Sequence, residues 1–235
     1  MYPGHAWEGE EFGPIEYEWY MARHYVFNVE FDVSMKPFID FCKANGHRTH
    51  ELMMKVTTRL SANHLPQRTI SLNWKSYPAR YPAGYIRASR PGTDMLEHIG
   101  VREKDGQFLE RDIRAQMQPF ARNLAIKHPK LAVWLAKHVF PRQEVKHNYA
   151  LMVTRNPLKS LNTRVVFHGT HYRTFLLLVP FGAETTCTFG APHAFGNINY
   201  YEPFLKNFKT YMEDPEQIPS DLLQKPYKMV PQQSA

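Results

Sequence analysis

The chain has 235 residues, of which 43% are hydrophobic, 22% charged and 14% aromatic. This composition is that of a globular protein with enough apolar material for a core. The longest apolar run, Phe175 to Phe181, is far shorter than the roughly 18 residues of a membrane helix. The acidic and aromatic N-terminus does not resemble a secretory signal, so we expect a cytoplasmic protein with no membrane partner.

The net charge of +7 and the pI near 9.3 favour polyanionic partners. Nucleic acid is one such partner and a phosphorylated cofactor is another, and the charge alone does not choose between them. The two cysteines, Cys42 and Cys187, are far apart and have no metal-type spacing, so we expect two reduced, buried thiols.

The first regular elements are a strand and two helices. The apolar residues from Tyr25 to Val33 alternate with Asn28, Glu30 and Asp32, which predicts a half-buried strand. Ser34 is a candidate cap for a helix over "KPFIDFCKA", which has Pro37 in its first turn and Gly46 just past its end.

A second helix is predicted to follow, with Thr49 as its cap. Leu52, Val56 and Leu60 repeat at i, i+4 and i+8, which predicts one buried face.

Short strands and a broken helix are predicted in the middle of the chain. The stretches "ISLNW", "GYIRAS" and "HIGVREKDGQF" have the character of strands, and "KDGQ" is typical of a hairpin turn. Residues 110–139 are predicted to form two helical pieces that break near His128 and Pro129.

Four strands and a helix are predicted in the last third. The strands fall in "HNYALMVTRNP", "RVVFHG", "TFLLLVPFG" and "ETTCTFG", and the continuous apolar run of the third predicts a central strand covered on both faces. Asn199 to Glu202 fits a capping box for the last helix, which Asp214 and Pro215 end. The order of elements predicts a mixed sheet flanked by helices.

His193 lies between the last strand and the last helix, and Asn197 follows four residues later. A side chain in such a turn is held at its base and still reaches a ligand, but an ordinary loop histidine has the same sequence context. Asn197 is close enough to brace the turn by hydrogen bonds.

The stretch "PHAFGNINYYEPFLKNFKTYMEDPEQ" resembles the end of the acyltransferase core of 2-oxoacid dehydrogenase complexes, which belongs to the chloramphenicol acetyltransferase-like fold. That family carries HxxxDG before a helix that ends in a "YLEDP" phrase. "HYVFNVEFDVSMKPFIDFCKANG" and "THELMMKVTTRLSANHLPQ" resemble its first strand and helices. The resemblance covers roughly residues 22–218.

The resemblance implies a single acyltransferase-like domain over residues 1–235, with an N-terminal arm at 1–22 and a C-terminal tail at 219–235. It implies a two-layer α/β sandwich, a homotrimer with active sites between subunits, and coenzyme A or another thiol as substrate. It also implies that His193 is the general base. "MVTRNPL" matches the family's "TISNLG" phrase, which gives Thr154 the role of oxyanion donor.

Three departures from the family are visible. Asn197 replaces the family's aspartate, and Ile198 replaces a glycine, which we expect to crowd the turn or strain its backbone. The sequence also shows no lipoyl domain, so we expect the protein to carry no substrate arm of its own. A degenerate trimer that binds an acyl-thioester or a protein, without catalysis, is therefore the alternative.

The other histidine pairs and the basic residues of the chain do not identify a further binding site. His168 with His171, and His47 with His50, have ligand-like spacing but no accompanying cysteine or carboxylate cluster, so we expect no metal site. The basic residues around Lys127 to Arg142 fit a solvated face or the phosphates of coenzyme A. Nucleic-acid binding rests on charge alone, so we do not expect it.

Overall fold

A computed structural model describes residues 26–70, 76–87, 97–112, 124, 127–139, 149–155, 174–179, 181–192, 195–196, 198–224 and 230–231 of the protein. The helices of these residues are α1 (Lys36–Ala44), α2 (Thr49–His64), α3 (Pro129–His138) and α4 (Ile198–Glu213). The strands are β1 (Val26–Ser34), β2 (Arg68–Ile70), β3 (Ser76–Pro78), β4 (Tyr81–Arg87), β5 (Glu97–Lys104), β6 (Gln107–Asp112), β7 (Tyr149–Arg155), β8 (Thr174–Leu178), β9 (Glu184–Pro192) and β10 (Val230–Pro231).

Eight of these strands form one mixed sheet in the order β1-β9-β8-β7-β4-β5-β6-β10. β7 runs parallel to both β4 and β8, and β10 runs parallel to β6. The other pairs in this sheet are antiparallel. β2 and β3 form a separate two-stranded ribbon. The predicted mixed sheet is confirmed.

Three helices form a layer on one face of the sheet. α2 contacts β4 and β5, α4 contacts β1, and α1, α2 and α4 contact one another. The predicted two-layer α/β architecture is therefore confirmed. Between the layers lies one apolar core, in which the buried face of α2 includes Leu52, Val56 and Leu60, as the spacing predicted.

Alternation along the strands decides which residues face the helices. On β9, Cys187, Phe189 and Ala191 belong to this core, and Thr186, Thr188 and Gly190 point to the opposite face. The register extends the same alternation to β1, where Phe31 pairs with Cys187 and Val29 with Phe189.

β8 is covered on both sides, which the unbroken apolar run predicted. It lies between β9 and β7, and Phe175, Leu176 and Leu178 are all at most 1% exposed. Both cysteines are free and buried, also as predicted.

The "KDGQ" turn joins β5 to β6. Asp105 and Gly106 have φ angles of 52° and 72°, the left-handed pair that a tight hairpin turn requires. The predicted hairpin is confirmed.

Two predicted helix caps are wrong. β1 continues through Ser34, whose backbone pairs with Glu184, and Met35 takes the cap position of α1. Thr49 is already the first residue of α2, and Arg48 precedes it as the cap. Because β1 pairs with β9 as far as Ser34, α1 begins only at Lys36. No local signal in the sequence indicates this pairing.

The segment after α4 also contacts the core. Two short turns of 3-10 helix, Pro215–Gln217 and Ser220–Leu223, follow α4. Ile218 and Leu222 are at most 3% exposed, so this part of the chain contributes to the core.

In the part of the chain that the structure describes, no helix is both long enough and apolar enough to cross a membrane.

Candidate active site

The connection between β9 and α4 is anchored at both ends. Pro192 ends β9, is buried, and pairs with Val26 of β1. Phe195 is 1% exposed and belongs to the core. His193 and Asn197 themselves lie outside the described residues. The structure thus fixes the residues that flank His193, and its role stays a prediction.

Gly196 supplies the unusual backbone conformation of this connection. Its φ is 151°, a conformation that side chains of L-residues rarely adopt. A Cβ at this position would also lie 3.3 Å from the Cβ and Cγ of Tyr200. Both facts make glycine the residue that fits here.

The expected strain at Ile198 is therefore wrong. Ile198 is the first residue of α4, and the positive φ lies two residues earlier, at Gly196. Since a helical conformation suits a β-branched residue at only a small cost, the replacement of a glycine here does not distort the backbone. The helix also starts before Asn199, so the predicted capping box with Asn199 as its cap is wrong.

An aromatic cluster fixes the start of α4 to the sheet. The ring centroid of Tyr201 lies 5.2 Å from that of Phe27 on β1 and 5.4 Å from that of Phe189 on β9. Phe204, one turn later, lies 5.6 Å from Phe189. Burial raises the pKa of Tyr201 well above its usual range. These contacts hold the start of α4 against β9, the strand that precedes the His193 turn, and against β1, the strand that pairs with β9.

A small cavity of about 220 Å³ opens at the start of α4. Its lining is mostly apolar and comprises Val29, Ile198, Asn199, Glu202, Leu205 and Lys206. Ile198 is 43% exposed, so the residue that replaces the family's glycine contributes its bulk to this cavity. Pro203 has no N–H, so the backbone C=O of Asn199 lacks its usual donor within the helix.

Thr154 lies on β7, on the face of the sheet that points away from the helix layer. Its neighbour on β8 is Leu177, and the neighbour of Leu177 on β9 is Thr188. Thr154 is half-buried. Thr188 is fully buried, and its Oγ1 has no hydrogen-bond partner among the described residues.

The register separates Thr154 from the end of β9 that carries His193. Pro192 lies four residues beyond Thr188, or about 13 Å along the strand, and two strand spacings add about 10 Å sideways. The Cα atoms of Thr154 and Pro192 are therefore about 16 Å apart. Within one protomer, the structure does not bring Thr154 next to Pro192.

The described histidines of the candidate metal pairs contact aromatic rings. The rings of His47 and Phe41 lie 5.9 Å apart, and those of His50 and Tyr85 also lie 5.9 Å apart. No group of three or more His, Cys, Asp or Glu side chains in the described ranges is arranged to hold a metal ion. His168 and His171 lie outside those ranges.

A buried lysine on α2 escaped the sequence analysis. Lys55 is 7% exposed, and its Nζ donates to the backbone O of Gln224 at 3.4 Å and lies 5.4 Å from the ring centroid of Phe108. Burial lowers its pKa. Because a lysine in an otherwise apolar helical stripe usually extends to solvent, this contact becomes visible only from the position of Gln224 in the structure.

Comparisons with known proteins identify similar folds among solved structures. One is a chloramphenicol acetyltransferase, with 11% identity, 84% of this chain and 94% of that chain covered, and a TM-score of 0.48. Another is a truncated catalytic core of the 2-oxoacid dehydrogenase multienzyme complex from Thermoplasma acidophilum, with 13% identity, coverage of 81% and 88%, and a TM-score of 0.48. A third is the dihydrolipoamide acetyltransferase of Azotobacter vinelandii, with 10% identity, 89% of each chain covered, and a TM-score of 0.45.

These neighbours belong to the family that the sequence motifs resemble. At such identities and TM-scores, the likeness carries no information about substrate or chemistry. No protein-family model matches the chain, and no curated protein matches it in sequence.

Proposed function

We propose that the protein transfers acyl groups between coenzyme A, or another thiol, and an acceptor. The observation that supports this is the anchored turn between β9 and α4. Pro192 and Phe195 are both buried on either side of His193 and Ala194, and Gly196 takes a conformation that favours glycine. A turn that is fixed on both sides holds the base of a catalytic side chain in a defined position.

In this proposal the imidazole of His193 takes the proton of a thiol. The free pKa of histidine is about 6.5 and that of a thiol about 8.5, so partial proton transfer occurs near neutral pH. The sulfur then attacks the acyl carbonyl, and the Thr154 hydroxyl donates a hydrogen bond to the tetrahedral oxyanion. Collapse of this intermediate expels the original carrier, which takes the proton back from the imidazolium.

Asn197 braces the turn in this proposal. A neutral hydrogen bond is worth about 1 kcal/mol and a charged one about 1.5–3 kcal/mol. The asparagine thus preserves the hydrogen-bonding shape of the family's aspartate at some cost in rigidity.

The active unit in this proposal is a homotrimer in which Thr154 and His193 of one site come from different subunits. The support is the separation of about 16 Å between the Cα atoms of Thr154 and Pro192 within one protomer. A neighbouring subunit that presents its β7 at the end of β9 would supply the missing donor.

The first experiment measures thiol release from a panel of acyl-coenzyme A substrates with candidate acceptors. We expect His193→Ala to reduce kcat by about 10²–10⁴-fold and Thr154→Ala by about 10²–10³-fold. We expect Asn197→Asp to retain activity, since it restores the family's residue. Equal turnover by the wild type and by His193→Ala would rule out the histidine as the base.

The second experiment tests the shared site. We co-express His193→Ala and Thr154→Ala subunits in equal amounts and purify the mixed trimers. If each site takes its two residues from different subunits, each mixed trimer has one intact site in three, and about a third of the wild-type activity returns. If both residues come from one subunit, the mixture is as inactive as either parent.

The alternative is a scaffold that binds an acyl-thioester or a protein partner without turnover. The observation that favours it is the bulk of Ile198 in the small cavity at the start of α4. Calorimetric binding of an acyl-coenzyme A with no turnover by the wild type, at any acceptor tried, would support the scaffold and exclude the transferase.

A further inference from the structure

Helix α3 carries an unusual concentration of exposed apolar side chains. The described residues include five large hydrophobic side chains that are exposed, and four of them lie on α3 or directly after it. Trp134 is 52% exposed, Val133 49%, Val139 48% and Leu131 46%. None of the ten residues of α3 is buried, so the helix contributes little to the core.

The segment around α3 is also strongly basic. Residues 113–143 contain six Lys and Arg residues and no Asp or Glu, so they carry +6 of the net charge of +7. Within the described part of this segment, Lys127 and Lys130 are exposed.

Charge and apolar surface lie on the same side of the helix. At 100° per residue, Leu131, Trp134 and His138 form one stripe of α3, and the Trp134 and His138 rings lie 5.4 Å apart. Lys130 lies beside Trp134 on the adjacent stripe. The exposed Lys130 therefore borders the exposed tryptophan, and the exposed Lys127 lies two residues before α3 begins.

We propose that α3 binds the surface of an anionic lipid bilayer. A basic helix with exposed Trp and Leu lies in the plane of the interface, where its apolar side chains enter the headgroup region and the neighbouring lysines extend to anionic lipid. Tryptophan is the residue whose amphipathic ring suits this depth best. The composition of the whole chain predicted no membrane partner, because a search for a spanning stretch does not detect a short helix that lies on the surface.

Two other occupants fit the helix less well. A two-fold contact between two α3 helices would bring like charges together, since this segment has no acidic residue to pair with its lysines. A contact between α3 and a different surface of a second copy is the outcome that sedimentation velocity tests below. Nucleic acid would satisfy the lysines but would leave the aliphatic side chains of Leu131, Val133 and Val139 in water. The inference does not depend on the proposed reaction.

The test is co-sedimentation of the full-length protein with vesicles of two compositions. One is phosphatidylcholine alone, and the other is equal parts of phosphatidylcholine and phosphatidylglycerol. We expect binding to the mixed vesicles only, and a marked loss of binding in high salt, because the lysine contribution is screened. Equal binding to both vesicles, or to neither, would overturn the proposal.

Matched variants separate the helix from the rest of the surface. We expect Leu131→Ser/Trp134→Ser to lower the partition coefficient about tenfold or more. Each of Lys127→Gln and Lys130→Gln should lower it about fivefold. The controls are Ile198→Ser, the one other exposed large hydrophobic among the described residues, and Lys43→Gln/Lys104→Gln, at two exposed lysines elsewhere. Controls that lose binding as strongly as the helix variants would overturn the proposal.

Fluorescence reports the depth of Trp134 directly. In Trp7→Phe/Trp19→Phe/Trp74→Phe protein, Trp134 is the one tryptophan left, and its emission should shift to shorter wavelength with the mixed vesicles. An unchanged spectrum at saturating vesicle would contradict insertion. If Leu131→Ser/Trp134→Ser instead abolishes an assembly of copies in sedimentation velocity, or the binding of duplex DNA, the helix serves that partner and the lipid proposal fails.

Discussion

Gly190 on β9 lies directly beneath the ring of Phe175 on β8. A Cβ added at Gly190 would come within 2.1 Å of the Cε1 of Phe175 and within 2.6 Å of the Oδ1 of Asn28. Glycine therefore lets the Phe175 ring lie flat across β9, on the face of the sheet that also carries Thr154 and Thr188.

We expect Gly190→Ala to destabilise the protein by about 1–3 kcal/mol, because the added methyl displaces a ring that is 1% exposed. Urea unfolding measures this difference. Gly182→Ala is the matched control, since nothing lies within 4 Å of a Cβ at Gly182, and it should change stability by less than about 0.5 kcal/mol. Equal effects of the two substitutions would contradict the close approach.

Two threonines on one face of β9 should respond oppositely to replacement by valine. The Oγ1 of Thr186 donates to Oδ1 of Asp32 at 2.9 Å, and Thr186→Val should cost about 1.5 kcal/mol with the loss of a hydrogen bond to a charged group. The Oγ1 of Thr188 is buried with no partner among the described residues. Thr188→Val should therefore stabilise the protein by about 1 kcal/mol.

Urea unfolding measures the free energy of unfolding of both valine variants. The comparison is matched because the two threonines lie on the same strand and the same face of the sheet. If Thr188→Val destabilises the protein instead, the Thr188 hydroxyl makes a hydrogen bond in solution and the prediction is wrong.

An ion-pair network joins α2 to the β5–β6 hairpin and to the C-terminal turns. Arg59 donates to both carboxylate oxygens of Glu103 at 2.7 and 2.6 Å and contacts Asp221 at 2.9 Å. The hydrogen bond to Glu103 raises the pKa of Arg59. We expect Glu103→Gln to cost about 1 kcal/mol and Asp221→Asn less, because Asp221 is 52% exposed and solvent screens it.

The control for this network is the exposed pair Lys36–Asp40 within α1. Asp40→Asn should leave the free energy of unfolding unchanged within measurement error, because solvent screens this exposed pair. A Glu103→Gln effect no larger than this one would show that the bidentate pair contributes nothing.

The buried thiols make stability depend on pH in the alkaline range. Burial raises the pKa of Cys42 from 9.0 to about 11, and burial also raises the pKa of Cys187. Below pH 9.0 the thiol is protonated in both states, and its contribution to stability is fully present. Between pH 9.0 and about 11 the unfolded chain loses the Cys42 proton first, so the free energy of unfolding falls as the pH rises.

Unfolding free energies of wild type and Cys42→Ala across this range isolate the effect. The decline should be shallower in the variant, although the variant is less stable at every pH. Neither thiol should react with a disulfide reagent at pH 8 in the folded protein, and both should react in urea. Parallel pH profiles, or fast labelling of the folded protein, would contradict the burial of Cys42.

Local patterns predicted the elements whose partners are near in sequence. The Asp105–Gly106 hairpin, the stripe of Leu52, Val56 and Leu60, and the covered strand β8 all follow from residue type and spacing alone. The predicted cap of α1 was wrong because β1 pairs with β9 through Ser34, a contact across 150 residues of sequence that no local signal records. The helix α2 begins one residue earlier than predicted, with Arg48 as its cap.

The candidate site shows the same limit. The motif singled out His193, Asn197 and Thr154, but only the register reveals that Thr154 lies level with Thr188 and far from Pro192. The distinction between Gly196, which needs a positive φ, and Ile198, which does not, also required the backbone itself.

The two outer strands of the eight-stranded sheet differ in length, with a consequence for solubility. β10 has two residues, whereas β1 has nine. The outer edge of β1 is therefore the longer of the two edges whose backbone N–H and C=O groups pair with no described strand. Glu30 and Asp32 are exposed along it, and a second copy that approached in register would meet the same carboxylates. We therefore expect these acidic residues to oppose edge-to-edge aggregation, a hazard that would grow if they were neutralised.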